Sequence, residues 1–416
     1  NIYLTNVLLG GLLIIYTYTG GAKAIAQTQK IQFIIIISSM AFAGYLLVQA
    51  MPKGVGFGDA LYLAGKSGKL NVITTNFDIK DKYNIWSGII GGFFLALSYF
   101  GTDQSQVGRY ISAKDVRDSR LGLLMNGLVK VPMQFLILLL GALLFAFYSI
   151  QKAPISFNEK AVTLTQQAAP AAYADLAIQY NMLSEQQAVQ ATTAVALRNT
   201  PNPQAISRNL NLLQQTQQEI DKSRASFRTM VADNKVAAEA NDTNYIFLHF
   251  LRHYLPVGII GLLFAVVFLA SWGSISGALH ALASSTLLDV HLLLSERKMN
   301  DKQELRWARL YTLLWGIFSI VVAMFATRMG SLIEAVNELG SLFYGVILGI
   351  FLVAFFLRRI SGRAVFLSAI ISEVLIFIIY KLNFVGFLWF NVIGSVLVIL
   401  IALAIQAGIR KKPQTV

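Results

Sequence analysis

The sequence contains no cysteine, so neither disulfides nor thiolate metal sites are available to it. Charge is scarce as well: 13% of the 416 residues are Asp, Glu, Lys or Arg, against about 25% in an ordinary soluble domain. With 56% hydrophobic residues and a mean hydropathy of +0.59, the chain is too apolar to be soluble and globular, and the bilayer is its solvent. The four histidines, His249, His253, His280 and His291, show no ligand spacing that recurs with carboxylates, so metal catalysis is unsupported. No phosphate-binding loop, H-E-x-x-H or G-x-S-x-G run occurs in a suitable context. ATP-driven pumping and hydrolysis by these routes are therefore not indicated, and the chain is not read as an enzyme. The residues from Asn1 onward do not show the basic start, apolar stretch and small-residue cleavage site of a secretory leader. Asn1 opens directly into an apolar run, so the N-terminal part of the natural protein is expected to precede it.

What the sequence does have is apolar runs of membrane-spanning length. Read against the polar breaks, they predict about nine transmembrane helices, at roughly 2–19, 31–50, 85–104, 122–149, 254–290, 307–327, 332–357, 364–381 and 386–409. The class is all-α and polytopic. The fifth run exceeds one span, so it either tilts or continues into water as the Ser-rich stretch before Asp289.

The net charge of +13 is not gathered on one stripe with interleaved aromatics, which argues against nucleic acid as a partner. It collects in alternate connections instead: Lys23 and Lys30; Arg109, Lys114, Arg117 and Arg120; Arg297, Lys298, Lys302, Arg306 and Arg309; Arg358, Arg359 and Arg363; Arg410, Lys411 and Lys412. These are cytoplasmic by the positive-inside rule, which runs the first helix inward and leaves the C-terminus in the cytoplasm. The long connections at about 51–84 and 150–253 then lie outside.

The longer of these divides the chain into transmembrane helices at 1–150, an extracytoplasmic helical insertion at 151–253 and transmembrane helices at 254–416. Apolar residues at helical intervals, as in Leu210, Leu213, Ile220, Phe227 and Val231, predict a hairpin of two helices, 171–197 and 205–236, with Pro201 and Pro203 at its turn. Such an element either docks a partner protein or is a solvated insertion with no direct transport role.

Polar and flexible residues inside the apolar helices mark a pathway or site. The third helix carries Gly91 and Gly92 and then Ser98-Tyr99-Phe100-Gly101-Thr102-Asp103-Gln104. Small residues there permit a broken helix whose freed backbone groups meet a polar solute, and Tyr99 is placed to stack on a ring-shaped one. The other reading makes the glycines packing residues and Tyr99 an interface aromatic. Lys130, two residues before Pro132 in the fourth helix, must snorkel, pair or line an aqueous cavity. In the fifth helix, Ala270-Ser271-Trp272-Gly273-Ser274-Ile275-Ser276 offers hydroxyl and carbonyl oxygens for a hard cation, although close helix packing also demands small residues.

These three stretches, in this order, resemble the sodium:solute symporter family, which includes sodium-coupled sugar, proline, sialic acid and pantothenate transporters. The resemblance runs from Tyr18-Thr19-Gly20-Gly21 to Leu388-Trp389-Phe390-Asn391-Val392-Ile393-Gly394 and excludes the insertion. Its most specific part is Thr102-Asp103-Gln104-Ser105-Gln106-Val107-Gly108-Arg109-Tyr110, followed by Ser112-Ala113-Lys114, which looks like a run of the sugar-type branch with Gly108 where Gln is usual.

The resemblance implies the LeuT-type fold, two inverted five-helix repeats with solute and ion sites at the midplane. On that register the chain holds core helices 4–7 before the insertion and core helices 8–10 plus two C-terminal helices after it, with about four helices expected before Asn1. It also implies roles. Tyr99 matches a gating tyrosine, with Phe100 in place of a tryptophan beside it, Lys130 matches a lysine close to the solute, and Asp103 is carried over with its run as a solute or gate residue. Ala270, Gly273 and Ser274 fall on three positions that help bind sodium, the coupling ion. Ala270 would act through its carbonyl and Ser274 through its hydroxyl, while Gly273 replaces a serine. Gln29 stands where an aspartate is usual and His280 where an asparagine is common, which leaves proton coupling or uncoupled transport open. The implied function is uptake of a small organic solute, a sugar or sugar acid, through the lipid bilayer of a bacterial inner membrane. A membrane sensor or scaffold that keeps the transporter fold is the alternative from another class.

Overall fold

The computed structural model describes residues 2–19, 22–71, 73–111, 113, 115–236, 238–295, 299–326 and 332–410. The expected helix end at Gly20-Gly21 and the basic residues Lys114, Arg297, Lys298, Arg328, Lys411 and Lys412 lie outside them. The described helices are α1 (Ile2–Thr19), α2 (Ala22–Gln49), α3 (Phe57–Lys66), α4 (Gly92–Thr102), α5 (Gln104–Ile111), α6 (Val116–Ile150), α7 (Glu159–Ala168), α8 (Pro170–Leu197), α9 (Pro203–Asp233), α10 (Ile246–Tyr254), α11 (Val257–Ser285), α12 (Leu292–Ser295), α13 (Asp301–Ala326), α14 (Leu332–Phe356), α15 (Gly362–Leu382) and α16 (Leu388–Arg410). No strand forms among the described residues; one isolated bridge joins Thr74 and Asn84.

All nine apolar runs are helical. Among the described residues, seven helical stretches are long and apolar enough to cross a membrane, and Leu4–Tyr18 and Ser87–Thr102 are shorter apolar helices. Two spans contain wide turns: a π-helical segment, Ser87–Gly91, leads into α4, and another, Thr286–His291, joins α11 to α12. The fifth run therefore continues as helix through its Ser-rich stretch and past Asp289.

The chain divides into two compact units, each described by itself. The first comprises Asn1–Ala26, Ile73–Met125 and Trp272–Val416. Without a hydrophobic drive between helices in lipid, close backbone approach through small residues holds such a unit together. A Cβ on Gly345 of α14 would lie 2.5 Å from the Phe390 carbonyl oxygen of α16, one on Gly349 would meet Val398 and Ser395, and one on Gly394 would meet Val346. Buried Asn391 donates to Ser341 Oγ at 3.0 Å across the same contact, and Leu342, Val346, Val353, Phe390 and Val398 fill it. Gly91 meets Leu388 as tightly, whereas nothing lies near Gly92. The packing reading holds for Gly91: the pair does not break the helix, because the π turn before it runs directly into α4.

The second unit comprises Gln27–Val72 and Asn126–Ser271. Its core joins Ala43 and Leu47 of α2, Leu63 of α3, Leu143 and Phe147 of α6, and Phe250 of α10. The insertion is the expected helical hairpin, α8 and α9. Pro203 begins α9, where its missing N–H costs nothing, and the Asn202 side chain caps that turn by accepting from the Ala205 N–H at 3.1 Å. Ala191, Ala194 and Leu213 from the hairpin lie in the same core as Phe147 and Phe250, so this part of the insertion is built into the unit rather than standing free in water. Farther along, Tyr180, Ile220, Phe227 and Val231 form a smaller core with Ile155 and Ala161.

Candidate functional site

The Thr102-Asp103-Gln104 run folds as a corner. Asp103 takes an extended backbone, φ −73° and ψ 114°, ending α4 and preceding α5. Its chemistry is that of a helix cap. Oδ1 accepts from the Ser105 N–H at 2.8 Å and the Ser105 hydroxyl at 2.6 Å, while its carbonyl accepts from the N–H groups of Gln106 and Val107. Oδ2 accepts from the Tyr344 hydroxyl of α14 at 3.3 Å. The corner is held from below by Ser98, fully buried, whose hydroxyl donates to the Tyr344 carbonyl at 2.7 Å.

Three rings gather on this corner. Tyr99 lies edge-on to Phe100 at 5.0 Å between centroids and 6.3 Å from Tyr344. The half-buried Tyr99 and Phe100 thus share a cluster with a carboxylate already fixed in orientation. Such a surface can stack on a ring-shaped solute while the polar tips of Tyr99, Tyr344 and Asp103 meet its hydroxyls. Tyr344 is absent from the sequence reading, since a lone tyrosine in an apolar run cannot be told from an interface aromatic.

In α11, Ala270, Gly273 and Ser274 stand on one continuous helix. Ser271 donates its hydroxyl to the Val267 carbonyl at 2.8 Å, along its own helix, and so is committed there. Gly273 is buried and contributes no side-chain oxygen, whereas Ser274 is exposed. The Ser274 hydroxyl and the second lone pair of the Ala270 carbonyl are oxygens suited to a small hard cation. One turn farther along, Ser276 Oγ and His280 Nε2 are buried and make no hydrogen bond among the described residues. Lys130 is exposed on α6, which stays helical through Pro132; that proline withholds a backbone donor from the turn carrying Leu128. Lys130 belongs to the second unit and the aromatic cluster to the first.

The sodium:solute symporter family model matches residues 1–185 and 225–372. The sodium/sialic acid symporter NanT of Aliivibrio fischeri is 21% identical over 402 residues, covering 95% of this chain and 62% of that protein. The sodium/sialic acid symporter SiaT of Proteus mirabilis is 28% identical over 153 residues, which is 36% of this chain and 31% of that one. The chain thus spans less than two thirds of the length of these relatives. Among solved structures, a Na+-coupled sialic acid symporter in a substrate-bound outward-open state superposes with a TM-score of 0.66 at 18% identity, covering 98% of this chain and 67% of that one. The likeness establishes the LeuT-type helical fold of an integral membrane protein, and with the family model matched on both sides of the insertion, the chain belongs to the sodium:solute symporter family.

Proposed function

We propose that this protein is a secondary active transporter that couples inward movement of sodium to uptake of a small organic solute, with a sugar acid of the sialic acid class as the first candidate. The family match across both halves of the membrane part carries the reading. Relatives that transport sialic acid support the solute class, and a ring-stacking cluster at Tyr99, Phe100 and Tyr344 suits a sugar acid. In this reading Lys130 pairs with the solute carboxylate, Asp103 holds Tyr344 beside the gate residue Tyr99, and Ala270 and Ser274 supply oxygens to the coupling sodium. The accompanying organisation is transmembrane helices at 1–150 and 254–416 flanking an extracytoplasmic insertion at 151–253, in a bacterial inner membrane with the C-terminus in the cytoplasm. The insertion is where a protein partner would dock.

The energetics suffice. A membrane potential contributes about 2.3 kcal/mol per charge per 100 mV, so one sodium sustains roughly a fiftyfold solute gradient from that term alone. A proton-coupled or uncoupled carrier is the second reading, favoured by Gly273, by the neutral Gln29 and by the unpartnered buried Nε2 of His280. Uptake of a labelled solute panel into vesicles under sodium and proton gradients separates the two: accumulation that follows the proton gradient alone removes the sodium reading.

A further inference from the structure

The hairpin's base holds a cluster that the transport reading does not use. His249 and His253 lie one turn apart on α10, their rings stacked at 4.1 Å between centroids and 26° between planes. The chain brings the first residue of α7, Glu159, to the same place: its Oε1 is 3.7 Å from His253 Nε2. A ligand atom from each of the three lies within 4.8 Å of the others.

The surrounding hydrogen bonds favour ligation. His253 Nδ1 lies 2.9 Å from the His249 carbonyl, which only accepts, so Nδ1 carries a proton and Nε2 is the ring atom that faces Glu159. His249 Nδ1 lies 2.8 Å from the Tyr148 hydroxyl, which can accept the Nδ1 proton in the tautomer that presents Nε2 to a ligand. Partners of this kind on the second ring nitrogen fix tautomer and orientation at metal-ligating histidines. Burial, then neighbouring His253 and Arg252, lower the His249 pKa from 6.5, while Glu159 opposes them.

We propose that Glu159, His249 and His253 form a binding site for a divalent transition cation of the zinc class. Two imidazoles and one carboxylate are a donor set that such ions take, with water in the fourth position, and one that sodium, magnesium and calcium do not favour. Tetrahedral bonds of about 2.0–2.1 Å place donor atoms about 3.3 Å apart, so the His253–Glu159 pair at 3.7 Å closes with a small side-chain adjustment and the triad, within 4.8 Å, with rotation of its side chains. Arg252 bonds the other carboxylate oxygen at 2.6 Å; it competes for charge but leaves Oε1 directed at His253. Occupancy would clamp the start of α7 to α10, the short helix just before α11. The site is independent of what the protein transports.

The intact protein, purified in detergent and stripped with a chelator, is titrated with Zn2+ by calorimetry, and with Co2+ by visible absorption to report coordination. One equivalent of Zn2+ should bind, and binding should weaken as pH falls through the imidazole range. His253→Ala and His249→Ala should each weaken it at least about tenfold, a loss that even outer-shell partners of a ligand produce. Arg252→Gln should tighten it by freeing the carboxylate. His253 and Arg252 are exposed, so their variants should keep the parent's melting temperature without metal, and only His253→Ala should lose the Zn2+-induced rise. No stoichiometric binding in the parent, or binding unchanged in the His249→Ala/His253→Ala double variant, overturns the proposal.

Discussion

At the scale of single residues, side chains that look alike in sequence have different physical jobs. Ser271 spends its hydroxyl on its own helix, whereas Ser274 is exposed and is the candidate sodium ligand. Ser274→Ala should therefore raise the sodium concentration for half-maximal uptake several-fold with little effect on insertion, while Gly273→Ser restores an oxygen and should lower it. Uptake measured against sodium concentration checks both, and an unchanged value in Ser274→Ala moves the site elsewhere. Tyr99 makes the parallel case for the solute. Tyr99→Phe keeps the ring and should be mild; Tyr99→Ala removes it and should weaken solute binding about fivefold to tenfold, in line with the worth of one aromatic contact. Binding to purified protein decides this.

His249 supplies a pH dependence. Its pKa is below 6.5 in the folded protein, so the unfolded chain binds more protons in the window beneath 6.5. Stability from the neutral imidazole is complete above pH 6.5 and is lost as pH falls through the lower folded value. The groups facing it are Tyr148, Phe157, His253, Arg252 and Glu159. His249→Gln should flatten the fall in melting temperature between about pH 6.5 and 5.

At the scale of elements, apolar length made the membrane helices legible, because a bilayer leaves the backbone of a long apolar run few alternatives to helix. The same rule hid the short amphipathic helices α3, α5, α7 and α10, which have no such run. Asp103 was visible as part of a family motif, but its cap depends on Ser105, and its tie to Tyr344 joins distant positions that no local pattern links. The histidines show no ligand spacing with carboxylates in the sequence, because Glu159 lies far from His249 and His253 along the chain and only the fold brings the three together. Glycine roles also needed the fold. Gly345→Ala should cost roughly 1–3 kcal/mol, because its Cβ would collide with α16 backbone, while Gly92→Ala, with open space around it, should leave the melting temperature nearly unchanged. The insertion shows the same dependence. From sequence it is expected to be dispensable for transport itself; for stability it counts, since Ala191, Ala194 and Leu213 share a core with Phe147 and Phe250. Joining Ala153 to Asn244 by a short linker would uncover that core. The deletion should lower the melting temperature even where surface expression survives.

At the scale of the whole molecule, composition placed the chain in the bilayer, and the order of its polar stretches placed it in its family. Solute and coupling ion depend on side chains carried over by resemblance, and Phe100, Gly273, Gln29 and His280 depart from the family pattern. The central claim is sodium-driven uptake. Its most direct test is accumulation of labelled sialic acid by the intact protein in proteoliposomes, with an inward sodium gradient imposed or replaced by potassium. The account predicts accumulation above the external concentration with the sodium gradient, collapsing when a sodium ionophore is added. Equal uptake in sodium and potassium would contradict it.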